Sequence, residues 1–483
     1  MRATMPRRAK LGILLVVLML VAVACSIEAP DVILSGGAGT GGGGTTTGGG
    51  AAGGGGAVGG GGAAGGGAAG GGSAPNASDT SCVGKVTDTG VSATTIKLGG
   101  TFAASGPVSA ISGPILNGVR AYFNEVNAKG GIHNRKIELK WYDDGWDAQK
   151  GKGLIKQLVE QDRVFVLTVV PSSNGLDAAR SYLEGRRMPV FGTSGLIESQ
   201  FKTPMQWPVG TSTRSAARIG LLDMKTRGVT NAAIIWLDLL AGAEGRDAFR
   251  KAVPSIMGKS AEDFITSDQK VGLSEATFDP VWARVQSDTR AWQSAHNVPV
   301  DGVPDFVSFL IDPTNATKAL RAAQERNFKP KKGWGGGAPL FLNIVSNESY
   351  SREASGRPGL YAGTSFFPPQ MAASVPAVAD YIKTVQKYYG RGIDVNNPYL
   401  EGGYAGAALT VEILRRVGSC LTKDKAIQVA NNLDGYSAAG LTRPLTYRSG
   451  NHYGNQYGLV VQVQSNGSWK VVSDWHKDPS VGQ

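Results

Sequence analysis

The sequence predicts an α/β protein of two lobes, each a doubly wound parallel sheet. Three observations carry this. From residue 95 onward, short strand-like runs alternate with helix-length amphipathic runs, the order that builds parallel sheets. Some strand-like runs are apolar throughout, as in VFVLTVV at 164–170 and FVSFLI at 306–311, which suits strands covered on both faces. About 400 residues follow residue 80, the length of two domains rather than one.

The start of the chain is different. Arg7, Arg8 and Lys10 precede an apolar run of 14 residues, 11–24. A spanning helix needs ~20 residues, so this run has the length of a signal-peptide core instead. Small residues at Ala22 and Ala24 lead into Cys25. The arrangement resembles the lipobox of bacterial lipoproteins, with Ala22 where leucine is usual. The resemblance implies acylation of Cys25, which becomes the mature N-terminus; a plain secretory signal cut nearby is the other reading. In 36–72, 24 of 37 residues are glycine and the rest are Ala, Thr and one Val. No apolar face exists there, so the segment is expected to be a disordered tether, and a tether makes sense on something fixed. The expected order is a signal peptide at 1–24, a tether at 25–80 and then the folded body.

The formal net charge is +11, and Arg2, Arg7, Arg8 and Lys10 of the signal account for four, leaving +7 on the mature chain. Bases and acids are interspersed, so this reads as a solvated surface with no nucleic-acid partner. No later run reaches a spanning length, and the body is expected outside the cytoplasm on its tether. With Cys25 assigned to lipid, Cys82 and Cys420 remain. An even pair in an oxidising compartment points to a disulfide; two free thiols is the alternative.

The elements follow in order. Residues 95–101 (TIKLGGT) read as a strand, and 113–127 as a helix with Ile115, Leu116, Val119, Tyr122, Phe123 and Val126 on one face. Gly130 and Gly131 end it. A strand at 136–141, a helix at 148–161, the strand at 164–170, a helix at 175–184 and a short strand at 189–191 complete the first unit. The second has strands at 232–237, 306–311, 340–345 and 359–366, with helices at 243–253, 280–286 and 315–326. Three helices follow, at 375–389, 400–417 and 423–433. The chain ends in a hairpin turning at Asn466-Gly467. Helices after the second sheet need a surface to cover, so the chain is expected to return to the first lobe.

Several of these residues together resemble the type I periplasmic binding proteins of the branched-chain amino-acid family. The resemblance rests on Ser105-Gly106-Pro107 after the first strand, Asn117-Gly118 in the helix, and Asn127 with Gly130-Gly131-Ile132. It continues with Asp143-Asp144 after the second strand, VVPSSNG after the third, and LDGYSAAGLTRPLTYRSGNHYGNQ near the end. It implies a clamshell with three hinge crossings, lobe 1 being 94–212 and 369–435, lobe 2 being 213–368 and 436–483. It also implies a small ligand held between the lobes and handed to an ABC importer permease. Ligands do sit outside the carboxyl ends of strands in open α/β sheets.

Candidate ligand-binding residues follow from position. Ser172 and Ser173 precede a helix, where hydroxyls and free N–H groups form an anion site; the resemblance implies that the serine grips a ligand carboxylate. Helix capping is the alternative use. Thr193, Ser194 and Gly195 follow the fourth strand, where the resemblance implies a carbonyl for a ligand ammonium and donors for its carboxylate. Asp312 follows FVSFLI and can face an ammonium, or cap the helix that begins at Pro313. Asp238 and Asn343 are weaker candidates, and Trp146 is expected at the rim. Ala241-Gly242 stand where the family often has an aromatic, a departure from a branched-chain ligand.

Enzyme chemistry finds no support. The four histidines show no metal spacing. Ser199-Gln200-Phe201-Lys202 lacks the partner motifs of a serine acyltransferase, and Gly258-Lys259-Ser260 lacks the first glycine of a phosphate loop. Asp143 and Asp144 are strand neighbours and point opposite ways. The expected function is an extracytoplasmic substrate-binding lipoprotein, without enzyme activity or cofactor, that takes an amino-acid-like or carboxylate ligand. A ligand-sensing module of the same fold is the alternative.

Overall fold

The computed structural model describes residues 80–106, 108–354 and 358–480. The signal segment, Cys25 and the tether precede residue 80 and lie outside the described residues.

Lobe 1 opens with β1 (Thr95–Phe102), α1 (Ser109–Ala128), β2 (Lys136–Asp143), α2 (Ala148–Glu160), β3 (Val166–Thr168), α3 (Ser173–Gly185), β4 (Val190–Phe191), α4 (Glu198–Lys202) and β5 (Gln206–Trp207). Its sheet is wholly parallel in the order β2-β1-β3-β4-β5. That order reverses between β1 and β3, so helices cover both faces. The run 164–170 is buried throughout, as a central strand and its flanks must be.

Lobe 2 holds α5 (Thr213–Thr226), β6 (Ala232–Leu237), α6 (Leu240–Met257), β7 (Ile265–Val271), α7 (Asp279–Ala295), β8 (Phe306–Leu310), α8 (Pro313–Glu325), β9 (Gly333–Gly336), α9 (Asn343–Ser346) and β10 (Tyr361–Thr364). The chain then returns to lobe 1 as α10 (Pro376–Tyr389), α11 (Pro398–Val417) and α12 (Lys423–Asn431). It crosses again to add β11 (Tyr457–Val463), β12 (Trp469–Val471) and β13 (His476–Lys477). The second sheet runs β12-β11-β10-β9-β8-β6-β7, with β13 on β11. Strands β6–β10 are parallel, while β11 is antiparallel to β10, β12 and β13. This sheet is therefore mixed: β11 enters antiparallel to β10, and the last hairpin then turns back at Gly467, whose φ of +82° suits a tight turn.

Two expectations are corrected. The segment 340–345 is not a strand: it ends a 3-10 turn and begins α9, while the strand is Gly333–Gly336. Residues 436–450 belong to lobe 1, not lobe 2. Leu441, Leu445 and Tyr447 are in its buried core, and the Tyr447 hydroxyl donates to the Pro208 carbonyl at 2.6 Å.

Lobe 1 is closed by α11 lying against α1. A Cβ on Gly118 would sit 2.0 Å from the Leu400 carbonyl oxygen, and one on Gly403 2.1 Å from that of Ile115. Only glycines allow this approach, and it fixes where α11 begins. At another corner Cys82 and Cys420 are bonded, with Cα atoms 4.9 Å apart.

Three chain crossings join the lobes, after β5, after β10 and before β11. Asn455 ties all three: from the last crossing its amide donates to the Val209 carbonyl at 3.2 Å and to the Ser365 carbonyl at 3.1 Å. Other bonds bridge the lobes directly. The Glu198 N–H donates to the Glu244 carboxylate at 2.8 Å, with Arg214 3.4 Å from Glu198 and 3.7 Å from Glu244. The lobes are thus in contact across the cleft.

Candidate ligand-binding cleft

The site begins where β3 ends. Val169 has φ of +44°, an outlier for a β-branched residue. Such strain concentrates at functional sites, and here it turns the chain out of the sheet toward α3. Ser172 caps α3: its hydroxyl accepts the Gly175 N–H at 3.3 Å. Asp144 is fully buried, accepts from the Thr101 hydroxyl at 2.7 Å and the Trp146 N–H at 2.9 Å, and has its carboxyl raised by that burial. Ser173 and Asn174 come next and line the cavity. The first N–H groups of a helix have no partner within it, so this end of α3 offers uncommitted donors to an anion.

On the facing lobe Asp312 caps α8. One carboxylate oxygen accepts the Thr314 and Asn315 N–H groups at 3.0 and 3.1 Å. The other, Oδ2, is buried without a partner, and Asp312 lines the cavity. Burial holds its carboxyl above the ordinary range. Both readings of Asp312 therefore coexist: one oxygen caps, and the second is available to a donor.

The cavity between these two features is about 280 Å³. Ser194, Gly195, Leu196 and Trp146 form part of its lobe-1 wall, with Phe366 and Tyr399. Gly195 has φ of +69°, and a Cβ there would meet the Phe201 ring at 2.5 Å, so this glycine shapes the turn that presents Ser194. Among the described lining residues no Lys, Arg or His occurs; the charged ones are Asp312 and Asp223, and Asp223 is paired with Arg227 at 2.7 and 2.9 Å. An anionic head would be met by backbone dipoles and hydroxyls rather than by a cation.

Ser173, Ser194, Gly195 and Asp312 thus converge, and Trp146 joins them. Ser172 and Thr193 do not line the cavity. The Ser172 hydroxyl is taken by the Gly175 N–H, and the Thr193 carbonyl accepts the Val209 N–H at 2.9 Å. Asp238 pairs with Lys270 at 3.0 Å, and neither Asp238 nor Asn343 lines the cavity. Ala241 and Gly242 do line it, and a Cβ on Gly242 would meet the Leu237 carbonyl oxygen at 2.1 Å. Sequence reasoning missed Tyr399, Phe366 and the whole face of α5, a helix it did not assign.

The family profile of periplasmic binding proteins matches residues 95–468, and the chain belongs to that family. The family is extracytoplasmic. None of the curated proteins compared matches the chain. Among solved structures it is similar to a fatty acid ABC transporter substrate-binding protein from Thermomonospora curvata, with a TM-score of 0.65 and 16% identity over 82% of this chain and 95% of that one. A possible leucine/isoleucine/valine-binding protein from Rhodopirellula baltica SH 1 gives 0.64 and 15%, covering 80% and 98%. The solute binding protein of an ABC transporter from Rhodopseudomonas palustris BisB5, in complex with 3,4-dihydroxy benzoic acid, gives 0.64 and 16%, covering 80% and 99%. At these identities the likeness is one of fold.

Proposed function

We propose that this protein is an extracytoplasmic substrate-binding lipoprotein that captures a small amino-acid-like or carboxylate ligand between its lobes and delivers it to an ABC importer permease. One observation carries the ligand assignment. The uncommitted donors of α3 and the unpartnered Oδ2 of Asp312 face one cavity from opposite lobes. A ligand with a carboxylate and a nearby N–H or ammonium satisfies both and favours the closed cleft. The names of the similar structures, spanning a fatty acid, leucine/isoleucine/valine and a dihydroxybenzoic acid, share a carboxylate beside an apolar body.

Asp312→Asn tests the site. Asparagine keeps an oxygen for the cap but turns a second donor toward the ligand. Hydrogen bonds to charged groups are worth ~1.5–3 kcal/mol, so calorimetry on a ligand found by thermal-shift screening should show roughly 10- to 100-fold weaker binding. Unchanged affinity would remove Asp312 from the site.

The anchor has its own test. Cys25→Ser should move the protein from the membrane fraction to the medium, since acyl chains supply the attachment. Wild-type protein that is already soluble and begins after Cys25 would overturn the anchor.

A further inference from the structure

The cavity does not stop at the cleft. It continues into lobe 2, between α5 and the face of the sheet that α5 covers. On α5 its wall is Thr213, Ala216, Ala217, Gly220, Asp223 and Met224, one helical stripe at three- and four-residue spacing. The opposite wall crosses four adjacent strands, with Ser308 on β8, Gly335 on β9, Gly363 on β10 and Gly458 and Val460 on β11. Register places Ser308 beside Gly335 and Gly363 beside Val460.

Small residues on both walls have two possible uses. They can let a helix lie close on a sheet, or they can keep a channel open. Close packing fits Gly335, where a Cβ would be 2.6 Å from the Tyr361 carbonyl oxygen. It also fits Gly458, where a Cβ would meet the Ile219 side chain at 3.2 Å, but it does not fit Gly220, Gly363 or Gly337. A Cβ on Gly220 would find nothing within 4 Å, and one on Gly363 nothing nearer than 3.5 Å. On Gly337 the nearest atom is 3.7 Å away. Gly363 is also partly accessible although its strand lies between two others. These positions border empty space, and the space is narrow, apolar and continuous with the head-group site.

From Thr213 to Met224 the helix rises ~16 Å at 1.5 Å per residue. An extended chain advances roughly 1.2 Å per bond, taking 3.3–3.6 Å per three-bond residue. The tunnel therefore has room for an unbranched chain on the order of ten carbons. Asp223, with its charge satisfied by Arg227, and Tyr361, under the Arg227 guanidinium at 3.8 Å to its ring centre, lie at the inner end.

We propose that the ligand is a carboxylate with an unbranched hydrocarbon tail, its head in the cleft and its tail threaded between α5 and the lobe-2 sheet. This rests on the cleft being the ligand site. Two homologous series test it by calorimetry on the full chain: unbranched 2-amino acids and the matching plain alkanoic acids, from four to sixteen carbons. Affinity should rise about fourfold per methylene, the gain for burying each one, until the chain reaches roughly ten carbons, and then level or fall. The two series distinguish an amino-acid head, which needs Asp312, from a plain acid. Gly220→Leu fills the tunnel roughly 10 Å in. It should abolish the gain beyond about eight carbons, a loss of roughly 16-fold at ten, and leave the four-carbon members unchanged. Leucine favours helix over glycine, and Gly363→Val on the opposite wall provides a second plug suited to a strand. If short members bind but affinity is flat or lost past five carbons, and both variants behave as wild type, the tunnel assignment falls and the cleft stands. If no member of either series binds, the cleft reading falls and the tunnel with it.

Discussion

Replacing Cys82 and Cys420 together by alanine should destabilise lobe 1 by ~2–5 kcal/mol, the usual cost of losing a native disulfide. The bond joins residues 338 positions apart, so it restrains a long loop in the unfolded chain, where the entropic gain is largest. A competing view is that it only pins the N-terminal segment to the body. The structure argues against that, because Arg135 already does so. Its fully buried guanidinium donates to the carbonyls of Ser92 at 2.9 Å, Lys85 at 2.9 Å and Ser419 at 3.2 Å, and also to that of Cys82. With these bonds in place, the segment stays docked when the sulfurs are gone. Thermal unfolding should therefore shift down by roughly 5–15 °C, at about 2–4 °C per kcal/mol for a unit of this size. Trypsin should still spare Lys85 in the folded double variant. An unchanged midpoint with fast cleavage at Lys85 would show that the disulfide is a local pin.

The parts of the fold that were legible are those with loud patterns. Ala232–Leu237 is a strand with the bounds its apolar run suggests. The helices α2, α10, α11 and α12 lie within two residues of their expected ends. The failures share a cause. Strand β9 is Gly-Trp-Gly-Gly, which carries no alternation, so the more apolar 340–345 was taken in its place. Helix α5 went unassigned because its inner face is Ala216, Ala217 and Gly220, too small to mark an apolar stripe. These residues and the glycines of β9 and β10 are also the ones that border the cavity. The tunnel proposed for the ligand tail is thus written in missing side chains, which periodicity cannot register.

Of the polar residues named from the sequence, Ser173, Ser194 and Asp312 line the cavity, while Ser172 and Thr193 do not. Two adjacent serines before a helix show that one caps and one is left for the cavity, but not which. The start of the helix decides it: α3 begins at Ser173, so Ser172 is the cap, its hydroxyl on the Gly175 N–H, and Ser173 is left at the cavity. The hinge clasp was equally out of reach. Asn455 looks like any loop asparagine until Val209 and Ser365 arrive from two other crossings.

Stability should fall as pH rises above about 4.5, and Glu401→Gln should remove much of that fall. Glu401 is 1% exposed, in the first turn of α11, and its Oε1 has no hydrogen-bond partner. The helix dipole at that end favours a negative charge by ~0.3–1 kcal/mol, or ~2 at most. Removing an isolated carboxylate from water costs several kcal/mol. Burial wins, and it holds the Glu401 carboxyl well above its ordinary value. The sign follows. Between the unfolded pKa of about 4.3 and the raised folded one, the folded chain keeps a proton that the unfolded chain releases. Folding then weakens by up to ~1.4 kcal/mol for each pH unit until the folded value is reached. The carboxylates with lowered values, such as Asp88, Glu198 and Asp478, act elsewhere: their contribution is complete above the ordinary carboxylate range and is lost only in stronger acid. Asp144 and Asp312 shift the same way as Glu401, and remain in both proteins. The comparison therefore isolates Glu401. Denaturant midpoints of wild type and variant should nearly agree at pH 4.5 and diverge steadily to pH 7, with the variant the more stable. A difference that does not change with pH would mean that Glu401 is ionised in the folded protein.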